Sequence, residues 1–459
     1  MTETVVTLDE RSSLVLAFAR VLFINGHATE QVVAAAQRLG HLLGMQVGLM
    51  PRWGELRLQS ETDGTKLISQ VAADPVGVNL DRVHSTMRAI EELDCGRLAP
   101  GAAMKEIGII SQAPPAPTWL FTLATGAGAL ALSVIFGVEH TIPALLIFIS
   151  AGVGAVMRRV VAHYSANILI QPFCAALLAS IIGALAVRYQ LSSSLRLVVV
   201  CPCMVLVPGP HILNGAIDLI YGHVHLGATR LVYAGLVVAA IATGLLLGLG
   251  FLGISLPVDP PSRTVDLWED VIAAGVAALA FSVFFCTPLH LMIWPVAVGM
   301  LVHALRWTAL TVFGASLATA ALVACIAVAA ILTPVARRWQ MPLAGIAFAS
   351  VVSMMPGMYL FRMASGLVQI ADGSQPTVQL ISATIANGMI ATMVTLAMGV
   401  GLIVPKLVID YLYDRPLSVG GSLIGGGTCR RSPPIWTPTN SNRTRLAKRN
   451  DAGYSKEKG

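Results

Sequence analysis

Charge is what this chain has least of. Only 12% of its residues are charged and 55% are apolar, against roughly 25% and 45–50% for soluble domains. No lysine occurs between Lys105 and Lys406, and Asp218 is the only acidic residue between Glu139 and Asp259. Lipid, not water, solvates such a block, so a soluble enzyme is excluded as the whole molecule. Metal-ligand spacing is also lacking. Cys201-Pro-Cys203 has no second pair nearby, so no metal is expected. The other cysteines are scattered, mostly in apolar runs where a thiol packs as a small hydrophobe. Gly248-Leu-Gly250-Phe-Leu-Gly253 resembles a dinucleotide loop in letters only, because it closes an apolar run instead of joining strand to helix. No cofactor is expected. The opening residues lack a basic start followed by an apolar core, which reads as no signal peptide and a cytoplasmic N-terminal segment.

What the chain has is a block written twice. The first copy runs from Arg188-Tyr-Gln through an apolar stretch to Val207-Pro208-Gly209, the second from Arg338-Trp-Gln to Met355-Pro356-Gly357. Paired Pro/Gly-interrupted segments in two halves are the signature of a secondary transporter whose site lies where the halves meet.

Residues 1–112 read as a small α+β cytoplasmic domain. Leu14–Phe23, Val32–Leu43 and Leu80–Leu93 carry helical spacing. Met45–Met50 and Glu55–Gln59 alternate as a hairpin, with Leu67–Val71 as a third strand. Residues 113–117 form a Pro-rich linker. Residues 118–256 and 268–405 then carry five apolar runs each, separated by an acidic external loop at 257–267. Five is odd, so consecutive homologous units would be inverted about an axis in the membrane plane. The fold class expected is mainly α membrane protein, about ten spans in two five-helix inverted repeats with broken Pro-Gly helices. Arg158, Arg159, Arg230, Arg337, Arg338 and Lys406 place both termini in the cytoplasm, although Arg188, Arg196, Arg306 and Arg362 fall on the other side. Residues 406–459 read as a disordered basic tail, attracted to anionic lipid and not to nucleic acid.

Asp218 follows the first break and shares a helical face with His211 and Asn214. A carboxylate at membrane depth costs about 2.5–3.5 kcal/mol, so it pairs, protonates or lines water. It is a candidate for proton coupling or for a substrate ammonium; a surface acid on an amphipathic helix is the competing reading. Arg362 lies five residues past Gly357, as Asn214 lies five past Gly209. It is a candidate for a substrate carboxylate, against an arginine reaching to head groups. Pro208, Gly209, Pro356 and Gly357 complete the candidate site, because a helix terminus beyond a break seats a carboxylate. His163, His290 and His303 read as interfacial, and His27, His41 and His84 as ordinary surface or core side chains.

The chain resembles the bacterial threonine/serine exporter family. The resemblance rests on Asn25-Gly26-His27 with Glu30, Gln37-Arg38-Leu39-Gly40 and Leu43-Gly44-Met45; on Val207-Pro208-Gly209 with Asn214-Gly215, Asp218-Leu219, Gly222, Gly227 and Arg230; and on Met355-Pro356-Gly357. It implies a multi-pass carrier of the bacterial inner membrane, driven by protons, exporting threonine and serine as substrates, and no enzyme. A homo-oligomer is compatible with the sequence. Two alternatives stay open: export of dicarboxylates such as succinate, and a membrane-anchored sensor or enzyme acting through residues 1–112.

Overall fold

The computed structural model describes residues 7–414 apart from 63, 139, 166, 190–194, 255, 257–264 and 373–376. Helix α1 (Leu8–Ile24) opens on a capping box, in which the Glu10 N–H donates to Thr7 Oγ1 and the Thr7 N–H donates to the Glu10 carboxylate. Helix α2 (Thr29–Leu42) leads into strands β1 (Gln46–Arg52), β2 (Gly54–Thr62) and β3 (Thr65–Ala73), an antiparallel meander in that order. Leu56, Leu58 and Ser60 of β2 alternate inward, the period that a half-buried strand demands. Helices α3 (Leu80–Asp94) and α4 (Pro100–Gln112) complete this part. The sequence pattern did not single out α4; it buries only Ala103, Ile107 and Ile110.

The apolar part begins with α5 (Thr118–Ile135), α6 (Thr141–Tyr164) and α7 (Ile170–Arg188). Short α8 (Leu195–Met204) and α9 (Gly209–Ile220) follow, then α10 (Val224–Gly250). The second half repeats the order: α11 (Leu267–Phe284), α12 (Ile293–Thr311), α13 (Leu317–Trp339), short α14 (Leu343–Val351) and α15 (Gly357–Ala371), and α16 (Val378–Asp414). Among the described residues, eight helices are long and apolar enough to cross a membrane, and up to ten spans result if each bent pair counts as one. The bends are 52° between α8 and α9 and 60° between α14 and α15. Pro208 and Pro356, lacking an N–H, sit at the N-caps of the second members.

Packing repeats with the order. Helix α7 lies along α10, and α13 along α16. Gly244 of α10 meets Phe173 and Leu177, and Gly248 one turn on meets Leu177 and Ser180, so α7 and α10 run parallel. Gly401 meets Leu322 and Cys325 while Asp410 pairs with Arg337, so α13 and α16 run parallel too. Between the halves, α5 packs on α11 in the opposite sense. Phe121 meets Phe284 at 5.0 Å, and Gly128 meets Ala280.

The N-terminal part interlocks with the spans. Leu226 of α10 packs in the N-terminal core, and Leu80 of α3 packs in the core of the spans. The first N–H groups of α3 have no partner within their own helix. Leu80 N–H donates to the Phe285 carbonyl at 2.9 Å and Asp81 N–H to that of Cys286 at 3.0 Å, so the end of α11 caps the start of α3. One expectation needs correction. The tail does not begin at 406: α16 continues through Pro405 to Asp414. Lys406 donates to Asp410 at 2.7 Å and to the Tyr221 hydroxyl at 3.1 Å, which fixes those last turns against α9. The rest of the expected tail and most of the expected 257–267 loop lie outside the described residues.

Candidate functional site

The two breaks meet at the centre. A Cβ added to Gly209 would lie 1.6 Å from the Phe348 ring of α14, so the glycine lies flat against a helix of the other half. Gly357 reciprocates, its missing Cβ pointing at Met204 of α8 at 3.2 Å. Each glycine after a proline thus packs on the short helix that precedes the opposite break. Beside this crossing, Leu213, Ile217, Ala329, Leu343, Ala347 and Leu402 line an apolar hollow too narrow to admit water.

From the crossing, α9 carries His211, Asn214 and Asp218 toward the N-terminal part, and all three are buried. The turn at Gly222 folds α10 back along α9, which brings Arg230 to Asp218; Nε and Oδ2 are 3.2 Å apart. Both side chains are nearly inaccessible, at 1% and 2%. Arg230 Nη2 donates to Thr29 Oγ1 at 3.4 Å, and the Thr29 hydroxyl also bonds Asp218. The guanidinium stands 5.5 Å over the Phe23 ring. Asn214 Nδ2 donates to the Gly26 carbonyl at 3.1 Å. The N-terminal part therefore supplies one wall of the site, through Phe23, Gly26 and Thr29.

This polar cluster is under-satisfied. Asn214 Oδ1, His27 Nδ1, Asp218 Oδ2 and Arg230 Nε are buried without a well-aligned hydrogen bond. Most buried polar atoms find partners, so this group of orphans makes the cluster the candidate site. Burial alone pushes the His27 imidazole down to about 4.

Arg362 lies elsewhere. Helix α15 leads away from the docked N-terminal part, since Ser365 and Gln369 donate to the Leu256 carbonyl in the connection between halves. Arg362 is 1% exposed, with Met358 Sδ at 3.2 Å and the Tyr359 ring at 5.8 Å. An arginine sealed this way does not reach head groups. At 1.5 Å per residue, Asp218 lies roughly 13 Å beyond its glycine and Arg362 roughly 7 Å beyond its own. With the two helices leading to opposite faces, one small zwitterion does not touch both.

Sequence reasoning missed Thr29 and the pairing of Arg230, which it used as a marker of sidedness and of family resemblance. Their signal was Asp218 itself: a buried carboxylate requires a partner, and a hairpin about Gly222 delivers one. His303 corrects another expectation. It is fully buried in the interior of α12, not at a helix end.

Residues 13–252 match the family model described as a putative threonine/serine exporter, and residues 270–408 match a second, described as threonine/serine exporter, ThrE. The chain belongs to the threonine/serine exporter family. No curated protein and no solved structure matches it. The two matches divide the exporter between α10 and α11, so each half carries one Pro-Gly break. The family is one of membrane exporters, which agrees with a transporter rather than an enzyme.

Proposed function

We propose that this exporter moves L-threonine and L-serine out across the bacterial inner membrane against proton entry, with both termini cytoplasmic. Its spans act as two inverted five-helix units that rock about the crossing. The observation that carries a pathway, as opposed to an anchor, is the reciprocal packing of Gly209 on Phe348 and Gly357 on Met204. Ten crossings are supported by the parallel run of α7 with α10 and of α13 with α16. A re-entrant pair between them would leave each set antiparallel. Inversion is supported by the opposite sense of α5 and α11.

The Asp218–Arg230 pair is the electrostatic complement of an amino-acid zwitterion. An entering substrate would set its ammonium on Asp218 and its carboxylate on the Arg230 fork, and would take over both halves of a pair whose own alignment is poor. Asn214 Oδ1 and the Thr29 hydroxyl are then in place for the substrate hydroxyl. Arg362, with the dipoles of the helices that Pro208-Gly209 and Pro356-Gly357 begin, receives the carboxylate on the far side of the crossing. A carboxylate beside the arginine disfavours a dianion, so succinate is the weaker candidate.

The test is efflux of labelled threonine from preloaded vesicles under an imposed pH gradient, with serine and succinate as competitors. Competition by serine and loss of efflux in Asp218→Asn are expected. Unchanged efflux in that variant would remove Asp218 from the mechanism, and stronger competition by succinate would replace the substrate class.

A further inference from the structure

A second buried polar group stands in the other half, where the sequence offered no motif. Asp270 lies in the first turn of α11, His303 in the interior of α12, and Ser353 in the 3-10 turn Val352–Met354 just before the second break. His303 Nδ1 is 3.0 Å from Asp270 Oδ2, and Ser353 Oγ is 2.6 Å from His303 Nε2. None of the three residues is more than 3% exposed. A path inward also exists: Asp266 at the N-cap of α11 is exposed, Glu269 is half-buried, and Asp270 is buried. The three acids thus step from solvent to the imidazole, on the face opposite the docked N-terminal part.

We infer that Asp270, His303 and Ser353 are the site that takes the coupling proton from outside and presents it to the break at Pro356, an inference that rests on the exporter reading above. Before loading, a neutral imidazole carries its hydrogen on Nε2, toward Ser353 Oγ, and leaves Nδ1 free to accept. A proton arriving along Asp266 and Glu269 passes through the Asp270 carboxyl to Nδ1, which gives an imidazolium paired with the Asp270 carboxylate. The ring now donates at both nitrogens, and the Ser353 hydroxyl points its own hydrogen toward the break. When the helices part there, Nε2 passes its proton to Ser353 Oγ as that hydroxyl gives its own hydrogen to entering water. The ring is neutral again with its hydrogen on Nδ1 and one proton has crossed; tautomeric exchange through that water returns the hydrogen to Nε2 before the next cycle. Histidine suits this role because its ordinary pKa lies between those of carboxylates and amines.

The charges around the relay set its balance. Arg306, on α12, acts on both Asp270 and His303, and on Tyr359 of α15. Arg362 stacks near that same Tyr359 ring. Glu269 is the other acid on α11. Helices α5 and α14 contain no titratable side chain, and α13 brings only Cys325, Arg337 and Arg338. Trp307, one turn beyond His303, donates to the Val265 carbonyl at 2.9 Å and ties α12 to the start of α11. The relay ends three residues before Pro356 and nine before Arg362. A proton placed there is therefore felt by the group assigned to the outgoing carboxylate.

The experiment uses the purified full chain in liposomes and two fluxes. Exchange of labelled threonine at equal pH needs no net proton movement; efflux into an acidic exterior does. In His303→Gln, exchange is expected to persist while acceleration by the gradient is lost. Acceleration that survives in this variant overturns the relay, and so does a proportional loss of both fluxes, which would mark a structural tie. Should His303→Gln fail to insert, Ser353→Ala decides by the same two fluxes. A wild-type chain that exchanges neither threonine nor serine overturns the exporter reading alone. Isotope-labelled histidine spectra between about pH 8 and 5 then decide the relay. A buried imidazole that gains a proton in that range and is shifted by Ser353→Ala upholds it; none doing so overturns it.

Discussion

Adding one methyl group at Gly209 tests the central crossing directly. In Gly209→Ala the new carbon would stand 1.6, 2.0 and 2.3 Å from three carbons of the Phe348 ring. Non-bonded carbons rest about 3.5–4.0 Å apart, so the ring must retreat by well over an ångström. It has nowhere ready to go. Phe348 is 2% exposed and is backed by Phe281 and Phe285, each with ring centroids at 6.0 Å. Overpacking of this kind costs about 1–3 kcal/mol, and the upper end applies to a rigid ring in a rigid cage. Gly357→Ala is the matched control. Its methyl meets Met204 Cγ at 3.2 Å, and a flexible thioether chain gives way for well under about 1 kcal/mol. Phe348→Ala alone empties a core site and costs about 3–5 kcal/mol. Combined with Gly209→Ala it should cost less than the sum of the two, because the methyl fills space the ring has left. The readout is the apparent melting temperature of the purified protein, beside threonine flux. Equal effects of the two glycine substitutions, or strict additivity of the pair, would refute reciprocal packing of the breaks.

Three further outcomes are expected. Folding lowers the His27 pKa from 6.5 to about 4, so the unfolded chain takes the proton first; this contribution is complete above pH 6.5 and is lost as pH falls toward 4. By pH 5 the loss is about 2 kcal/mol, seen as an acid limb in a melting profile that His27→Phe flattens. Asp218→Asn or Arg230→Gln alone strands a buried charge or donor and costs about 3–5 kcal/mol; the double substitution should recover part of this in the same melting assay. Gly345→Val drives a branched side chain into Leu80, whose Cδ1 is 2.8 Å from the missing Cβ. Loosening of α3 from the spans should then appear as faster proteolysis near Asp74–Val78.

Much of the architecture was legible because its causes are local. Alternation in Met45–Met50 and Glu55–Gln59 forces a hairpin, and the register found, Leu49 opposite Leu58, follows from a tight turn at Trp53-Gly54. Pro208 and Pro356 break helices wherever they sit in an apolar run. Partners across space were not legible. Nothing local to Arg230 tells that it will meet Asp218 and Thr29, and nothing in the spacing of Asp270, His303 and Ser353 announces one hydrogen-bonded chain. Burial misled where composition was ambiguous: His303 reads as a helix-end residue, yet it lies inside α12. The end of α16 was missed for a different reason. Pro405 suggests a stop, but Lys406 finds Asp410 and Tyr221, and those bonds carry the helix onward.

The exchange of Leu80 and Leu226 between two cores has a mechanical meaning. The N-terminal module grips both halves: the first through Asn214, Arg230 and Leu226, the second through Phe285, Cys286 and Gly345. Neither half can tilt against the other while both grips hold. On the proposed rocking of the two halves, opening would require the module to let go of one side, and the energy of that release would add to the barrier that a solute meets.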